Sequence, residues 1–345
     1  MEKISFESQD VKIRNFERGF RAINVINIGL KLGLFRTIHG HGEGMTGTAL
    51  AEELLLHEPY VRVWLQTAYH FDILDCDDQD QFVLQSHLAE ILGLDSHHYQ
   101  AATSASACMP MEDQGGDESQ LLNYIRTGQP VNRGKSPESS LATAEATKGV
   151  YLVFLSAVLP SHSYLERMLK KGVSFLDIGC GSGNLIIELA HAFDRSRFVG
   201  IDPDIYGIDR AEEAASVFGL DDRVSFEDMA AEEFTYENQF DLISMAATLH
   251  EILPEVRVKA LQNAHRALKS DGYILILDFP YPDTIEDFRN PRYHYGVIEQ
   301  YFEVAKGIVH MGAHQQDELL RNVGFRNIER MDINKGMFDF ITATK

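Results

Sequence analysis

The chain has 345 residues, of which 44% are hydrophobic and 24% charged, as is usual for a soluble globular protein long enough for two domains. Its 52 acidic residues outnumber its 31 basic residues and give a net charge of −21. Because this charge repels phosphate backbones, composition argues against a nucleic-acid partner.

Cysteine usage and the lengths of the apolar runs indicate where in the cell the protein is expected. Cys76, Cys108 and Cys180 show no CxxC pairing, so neither a disulfide framework nor a cysteine zinc site is indicated. The N-terminal stretch carries charges throughout and lacks the apolar region of a signal peptide. The longest apolar run, 151–159, is shorter than the roughly 20 residues that span a bilayer. We therefore expect a cytoplasmic protein without a membrane partner.

The first predicted domain, residues 1–100, is mainly helical. INVINIGLKLGLFRTI repeats apolar residues at helical spacing and ends near Gly40, and Thr46 or Thr48 can cap the next helix. Pro59 lies near the start of a further helix, and DCDDQDQFVLQS then predicts a polar turn with a short strand. This order is the winged-helix arrangement. The candidate recognition helix has Arg62 against several acidic residues, so packing or dimerisation explains it better than DNA binding.

The second predicted domain, residues 101–345, begins with connecting helices and polar loops that include LLNYIRTGQP. Its core, 165–345, alternates short apolar runs with helical segments. The predicted strands are VSFLDIG, SRFVGID, RVSFEDM, FDLISM and GYILILDF, followed by a closing antiparallel pair in GFRNIERMDINKGMFDFITATK. The alternation predicts an α/β class with a mostly parallel, doubly wound sheet, in which ligands bind at the carboxyl ends of the strands.

A glycine turn follows the first of these strands. In FLDIGCGSGNLIIELA, Gly179, Gly181 and Gly183 allow the backbone to turn tightly and a ligand to approach it. The spacing is GxGxG and not the GxGxxG of a dinucleotide site, and there is no GxxxxGK[ST] phosphate loop.

Two carboxylates follow at the ends of the next strands. Asp202 is placed to accept hydrogen bonds from both hydroxyls of a ribose. Asp228 can accept from an adenine amino group, with Met229 beside the ring. This order and spacing suit a nucleoside that carries an amino-acid tail.

These motifs resemble those of the class I S-adenosylmethionine-dependent methyltransferases, and more closely the two-domain O-methyltransferase type with a winged-helix dimerisation domain. The resemblance covers nearly the whole chain and implies a Rossmann-like fold, a homodimer, S-adenosyl-L-methionine as cofactor and a small-molecule acceptor. It also implies a cofactor site that the following residues form: Asp177, Gly179, Gly181 and Gly183 at the methionine part, Asp202 at the ribose, Asp228 and Met229 at the adenine, and Ser244 and Met245 beneath it.

MAATLHEI (245–252) follows the fourth core strand and supplies the catalytic candidates His250 and Glu251. In the resembling O-methyltransferases a histidine followed by an acidic residue here is the general base, a role that suits an unperturbed pKa of about 6.5. The tryptophan usual two residues later is Ile252 in this chain. Pro254 predicts a helix start, which leaves both candidates in a turn.

A second chemistry fits the same residues. The chain also resembles a subset, the phenylpyruvate and 2-ketoarginine methyltransferases, that methylates the carbon next to a 2-oxo acid's carbonyl. That resemblance implies a divalent or trivalent metal that stabilises the enolate as a Lewis acid. Candidate ligands are His250 and His294, followed by His310 and His314, whose shared helical face Gly312 weakens.

Three functions follow from these alternatives. We favour carbon methylation of a polar 2-oxo acid, with a guanidino acid as one candidate. Hydroxyl methylation of an aromatic or polyketide-like metabolite, with His250 as base, stays open. So does a non-enzymatic winged-helix regulator that senses a nucleoside. Asp278, at the end of the fifth core strand, is expected only to hold the following turn.

Overall fold

The computed structural model describes residues 4–92, 94, 127, 129–130, 134–284, 286–333 and 335–345. The chain divides into two compact units, Met1–Pro110 and Met111–Lys345, where the sequence predicts a division after residue 100. Most of the predicted connecting segment LLNYIRTGQP lies outside the described residues.

The first unit has helices followed by a small antiparallel hairpin, in the predicted order. Its elements are α1 (Phe6–Lys31), α2 (Leu34–Gly40), α3 (Gly47–Leu54), α4 (Glu58–His70), β1 (Leu74–Cys76), β2 (Phe82–Leu84) and α5 (Leu88–Ile91). The helix predicted to end near Gly40 is divided at Gly33, whose φ of 72° is left-handed and ends regular helix geometry. Thr46 caps α3 by accepting a hydrogen bond from the Ala49 amide at 3.2 Å.

The second unit contains a seven-stranded sheet and the helices that cover it. The helices before and within the sheet region are α6 (Pro137–Ala146), α7 (Lys148–Val153), α8 (Leu159–Ser161), α9 (Ser163–Lys171), α10 (Asn184–Ala192), α11 (Ile205–Val217), α12 (Pro254–Ala267), α13 (His294–Glu303) and α14 (Ala313–Val323). The strands are β3 (Ser174–Ile178), β4 (Arg197–Asp202), β5 (Val224–Asp228), β6 (Phe240–Ala246), β7 (Leu268–Asp278), β8 (Arg326–Ile333) and β9 (Phe338–Thr344). A π-helical turn, Phe154–Val158, joins α7 to α8, and short 3₁₀ turns span Asp287–Arg289, Pro291–Tyr293 and Val304–Lys306.

The strand order β5-β4-β3-β6-β7-β9-β8 confirms the predicted doubly wound sheet. Strands β3 to β7 pair in parallel, and β9 pairs antiparallel with both β7 and β8, as the closing pair was predicted to do. The chain moves outward from β3 in one direction through β4 and then in the other through β6. The crevice at this switch point opens at the carboxyl ends of β3, β4 and β6, where ligands bind in such sheets.

The core of the second unit explains why its central strands are so apolar. Every residue of β3 after Ser174 is buried, β6 is buried almost throughout, and β7 is buried from Ile274 to its end, because helices cover both faces of a parallel sheet. Helix α12 packs small side chains against the sheet, with Ala260, Ala264 and Ala267 fully buried. The sheet therefore provides a rigid support for the side chains at its edge.

Helices α6 to α8 run on as one stretch, Pro137–Ser161, of 25 residues. With a mean hydropathy of 1.3 in its most apolar window, it is long and apolar enough to cross a membrane, although the apolar run considered in the sequence was shorter. A core helix of a soluble protein meets the same criterion, so this stretch is weak evidence for a membrane span. The cytoplasmic location stays a prediction.

Candidate functional site

The glycine loop between β3 and α10 has the backbone that its residues predict. Gly179, Gly181 and Gly183 have φ values of 75°, 53° and 72°, which L side chains rarely adopt. A Cβ on Gly179 would lie 2.4 Å from the Thr248 side chain, and one on Gly183 would lie 2.6 Å from the Phe226 ring. At Gly181 no heavy atom of the described residues lies within 4 Å of such a Cβ. The loop is thus packed at both ends and open at its middle, where a ligand can approach.

Asp202 fixes the open part of this loop from the end of β4. Its Oδ2 accepts a hydrogen bond from the Gly181 amide at 2.9 Å, and its Oδ1 accepts from the Asp204 amide at 2.8 Å. Burial raises the pKa of Asp202, against the lowering effect of these backbone bonds. Asp202 pairs in register with the exposed Asp228 on β5, so the predicted ribose and adenine carboxylates are neighbours, and the Met229 amide donates to the Asp202 carbonyl at 3.1 Å.

Asp177 and Ser244 face each other across β3 and β6. The Ser244 hydroxyl donates to Asp177 Oδ1 at 2.5 Å, and burial raises the pKa of Asp177 to about 7. Met245 is fully buried in the hydrophobic core beside them. Because its side chain is buried, its place beneath the cofactor stays a prediction that concerns its backbone.

We call the residues Asp177, Gly179, Gly181, Gly183 and Asp202 the donor cradle. Its open glycine, its strand-end carboxylate and its excess of negative charge fit an adenosine whose amino-acid tail carries a positive charge. The structure brings these predicted cofactor residues to one edge of the sheet.

His250 lies in the turn between β6 and α12, which begins at Pro254 as predicted. The side chain is buried, and its Nδ1 lies 2.5 Å from Asp278 Oδ1. The His250 amide also donates to Asp278 Oδ2 at 3.1 Å. Asp278 therefore holds both the ring and the backbone, and the proton on Nδ1 leaves Nε2 for other partners.

The expectation that Asp278 only holds a turn is therefore incomplete. It does accept a hydrogen bond from the Phe279 amide at 2.8 Å, but it is also the main partner of His250. His250 follows β6 and Asp278 is the last residue of β7, and these two strands pair in parallel, so the proximity of the two residues is a consequence of the sheet.

Two more ionisable side chains complete this group. His310 Nε2 lies 3.1 Å from Glu303 Oε2, and His250 Nε2 lies 3.7 Å from the same oxygen. The two imidazole rings are 4.5 Å apart between centroids. The potential metal-binding atoms of His250, Glu303 and His310 lie within 4.8 Å of one another, and all three residues are buried. Together with Asp278 we call them the acceptor cluster.

One atom of the acceptor cluster lacks a partner. The Nδ1 of His310 is buried, and no atom of the described part of the chain hydrogen-bonds it. Buried polar atoms in folded proteins are nearly always satisfied, so we expect this nitrogen to have a partner outside the described residues. Two histidines and a carboxylate are a donor set that holds zinc or iron in proteins, and the Asp278 bond to His250 is the usual outer support of such a ligand.

The other predicted ligands lie elsewhere. His294 is exposed at the start of α13 and, within the described ranges, does not join a group with His250, so that pairing stays a prediction without structural support. His314 is exposed in the first turn of α14. Because Gly312 is the N-cap of that helix, His310 precedes it, and the two histidines do not share a helical face.

The charges of the acceptor cluster are strongly coupled. Burial alone would lower the pKa of His250, but the charge and hydrogen bond of Asp278, with the charges of Glu303 and Glu251, raise it to about 10. Burial would raise the pKa of Glu303, but the His310 hydrogen bond and the His250 charge lower it to about 2. In the absence of another cation, a protonated His250 offsets the negative charge of the neighbouring carboxylates. Glu251 acts on this balance by its charge, and its catalytic role stays a prediction.

Two residues that the sequence did not single out position the cluster. Arg257 donates through Nη2 to the His250 carbonyl at 3.0 Å and to the Val309 carbonyl at 2.8 Å. Gln300 accepts from the His310 amide at 2.7 Å. Glu303 was also missed, and the signal available was a charged residue inside the apolar run YFEVA, where burial demands a partner.

Comparison with known proteins finds relatives of the second unit, which carries both the donor cradle and the acceptor cluster. Residues 169–322 match a family model described as "Methyltransferase domain". A ribosomal protein L11 methyltransferase of Thermotoga maritima is 32% identical over 113 residues, 33% of this chain and 39% of the relative. The 27-O-demethylrifamycin SV methyltransferase of Amycolatopsis mediterranei is 31% identical over 186 residues, 53% of this chain and 61% of the relative. The matched segments thus span less than two thirds of these relatives.

Solved structures match over the full length. Human N-acetylserotonin methyltransferase in complex with S-adenosylmethionine superimposes with a TM-score of 0.78 at 16% identity, covering 100% of this chain and 99% of that one. At this identity the match establishes the fold, including a helical unit before the sheet.

Proposed function

We propose that the chain, whose residues 169–322 match a methyltransferase-domain family model, is a class I S-adenosylmethionine-dependent methyltransferase of the O-methyltransferase-like type, and that it transfers the donor's methyl group to a small, polar 2-oxo acid. The acceptor atom is the carbon next to the oxo group. The observation that carries this proposal is the buried group of His250, Glu303 and His310, whose potential ligand atoms lie within 4.8 Å of one another.

The donor cradle orients the methyl group. Asp202 accepts hydrogen bonds from the ribose while it holds Gly181, so the adenosine and the loop share one carboxylate. The carboxylates of the cradle favour a sulfonium over a neutral thioether. Transfer of the methyl group discharges the sulfonium and weakens that attraction, which helps the product to leave.

The acceptor cluster would hold a metal through His250, Glu303 and His310. Such a metal would supply Lewis acidity that makes transfer of a proton from the carbon beside the oxo group to a carboxylate of the cluster easier. Asp278 keeps the Nε2 of His250 directed into the cluster. Phe279, whose ring centroid lies 5.5 Å from that of His250, and Tyr281, 5.6 Å from that of His310, form an aromatic wall that excludes water.

Enolisation tests the proposal without any methyl transfer. A 2-oxo acid in D₂O loses the NMR signal of its C3 protons as the enol forms and reverts. With S-adenosylhomocysteine in place of the donor, we expect the wild type to accelerate this exchange and His310→Ala to lose the acceleration. Exchange at the spontaneous rate with metal-loaded wild type would overturn the carbon-methylation proposal.

Metal content provides the matched comparison. His310→Ala and Glu303→Gln remove members of the cluster, whereas His314→Ala and His294→Ala remove exposed histidines nearby. We expect stoichiometric metal in the wild type and in the two exposed-histidine variants, and its loss in the two cluster variants. Equal metal content in all five proteins would contradict the proposed ligands.

The His250–Asp278 pair supports a second candidate, hydroxyl methylation with His250 as general base. A carboxylate on Nδ1 orients an imidazole for proton abstraction at Nε2. The neighbouring carboxylates raise the pKa of His250, and both candidates require the Nε2 of this ring to be unprotonated. Full activity on a phenolic acceptor in the presence of chelator would favour this candidate over the first.

A second copy of the chain is the proposed protein partner. On α1 the exposed side chains of Phe6, Ile13, Phe16 and Phe20 repeat at helical spacing and form one apolar stripe, each more than 60% exposed. Val11, 57% exposed, lies on the opposite face of the helix. We expect light scattering to find a dimer that Phe16→Glu/Phe20→Glu dissociates and Val11→Glu does not. A monomeric wild type would contradict this proposal.

A further inference from the structure

Helix α6 reaches the glycine loop through a set of buried hydrogen bonds. The Arg210 guanidinium, on α11, donates through Nε to the Ser182 hydroxyl at 3.3 Å and through Nη2 to the Ser140 hydroxyl at 2.5 Å. Ser140 in turn donates to Asp204 Oδ2 at 2.5 Å. Ser182 belongs to the glycine loop, and Ser140 precedes it by 42 positions in the chain, so these bonds connect distant segments.

The same set of bonds continues to the donor cradle. The Asp204 amide donates to Asp202 Oδ1, and Asp202 Oδ2 accepts from the Gly181 amide. The path therefore leaves the glycine loop at Ser182 and returns to it at Gly181. We call this closed path, through Ser182, Arg210, Ser140, Asp204 and Asp202, the loop ring.

Two residues of the loop ring are buried, so their hydrogen bonds are shielded from water. Ser140 is 1% exposed and Asp204 is 6% exposed, so water does not replace a lost bond easily. Within the described residues the Oδ1 of Asp204 has no hydrogen-bond partner, which leaves its charge dependent on Ser140 and on Lys135, 4.0 Å from Oδ2. Loss of the Ser140 hydroxyl would remove the only neutral donor to this carboxylate side chain among the described residues.

The backbone is close-packed at the same place. A Cβ on Gly207, in the first turn of α11, would lie 3.1 Å from the Gly181 carbonyl oxygen. The start of α11 thus packs against the backbone carbonyl of Gly181. Arg210 lies less than one helical turn further along the same helix. A shift of Arg210 would move the surface on which the loop lies.

We propose that Ser140 and Arg210 are positioning residues for the donor, which hold the glycine loop in its binding conformation through the loop ring. The proposal rests on the donor site in the proposed function. Neither residue touches the acceptor cluster's hydrogen bonds, so their effect falls on donor affinity and on the Michaelis constant for the donor. It does not fall on turnover at saturating donor.

The test uses calorimetric titration of S-adenosylhomocysteine into the full chain, with steady-state kinetics alongside. We expect Ser140→Ala to bind about tenfold more weakly, as the loss of a buried hydrogen bond to a charged group implies. Arg210→Lys should weaken binding similarly, because one ammonium cannot bridge the two hydroxyls. Thr143→Ala is the matched control, since the Thr143 hydroxyl on the same helix is exposed and bonds only the Ser139 carbonyl.

Hydrogen exchange of the ligand-free protein separates positioning from general instability. In Ser140→Ala, we expect faster exchange in the peptide that contains residues 179–183, with unchanged exchange in β6 and β7. Wild-type affinity in both Ser140→Ala and Arg210→Lys, or faster exchange spread over the whole sheet, would overturn the inference. If the wild type itself does not bind S-adenosylhomocysteine, the proposed function fails instead.

Discussion

The donor cradle and the acceptor cluster lie at the same edge of one sheet but are built differently. The cradle is mostly backbone: three glycines lie in one short loop, which the Asp202 carboxylate at the end of β4 fixes. The acceptor cluster is entirely side chains, contributed by the turn after β6, the end of β7, the end of α13 and the segment before α14. A loop can therefore define the donor, whereas four separate segments must meet to define the acceptor.

The difference has an electrostatic side. The cradle offers open space beside carboxylates whose pKa values burial raises, so a cationic ligand would stabilise their negative charge. The cluster is closed and already has strong internal partners, with the pKa values of His250 and Glu303 moved in opposite directions. Donor binding and acceptor chemistry should thus be separable by single substitutions.

The largest expected effect is that of Asp202→Ala on the cradle. It removes the ribose acceptor and the bond to Gly181 together, and we expect affinity for S-adenosylhomocysteine to fall by about 10³-fold, the equivalent of two or more charged hydrogen bonds. Calorimetry measures this, with Asp209→Ala, an exposed carboxylate on α11, as control. Metal content should not change. Equal binding by the wild type and Asp202→Ala would refute the cradle.

Asp278→Asn makes the opposite separation. The amide cannot accept from both the ring and the amide of His250 as a charged carboxylate does, so turnover should fall by about 10–100-fold through misorientation of the imidazole. Affinity for S-adenosylhomocysteine should stay at the wild-type value. Asp271→Asn changes an exposed carboxylate on the same strand and is the control. An equal loss of donor affinity would show that the two groups are not separable.

The comparison also explains what could be predicted from the sequence. The cradle lies in a strand, a turn and a helix that are contiguous, and its glycines have the left-handed φ that their residue type suggests. Asp202 and Asp228 were predicted at the ends of successive strands, and they are neighbours because these strands pair in parallel. Local patterns were sufficient for this half of the site.

The acceptor cluster could be predicted only in part. His250 and Asp278 follow adjacent strands, so their edge was known but not their hydrogen bond. The choice between His294 and His310 depended on where α13 and α14 begin and on which residue the sheet buries. Spacing does not contain that information, because tertiary packing decides it. Glu303 needed the same knowledge.

The smallest expected effect concerns the contact between Gly179 of the donor cradle and Thr248, in the turn that carries His250 of the acceptor cluster. A methyl group on Gly179 would meet Thr248, which lies in the same turn as His250, whereas a methyl group on Gly181 would meet open space. Both substitutions strain a left-handed backbone by about 1 kcal/mol. Only Gly179→Ala should also displace the turn. We expect Gly181→Ala to weaken S-adenosylhomocysteine binding with turnover at saturating donor unchanged.

Gly179→Ala should lower both quantities several-fold, and Gly179→Ala/Thr248→Ala should restore turnover more than affinity, because removal of the Thr248 side chain relieves the collision but not the backbone strain. Steady-state kinetics and calorimetry on the three variants measure the two quantities independently. Identical kinetic changes in Gly179→Ala and Gly181→Ala would mean that the donor cradle does not transmit its position to His250. In that case the contact between Gly179 and Thr248 would be packing alone.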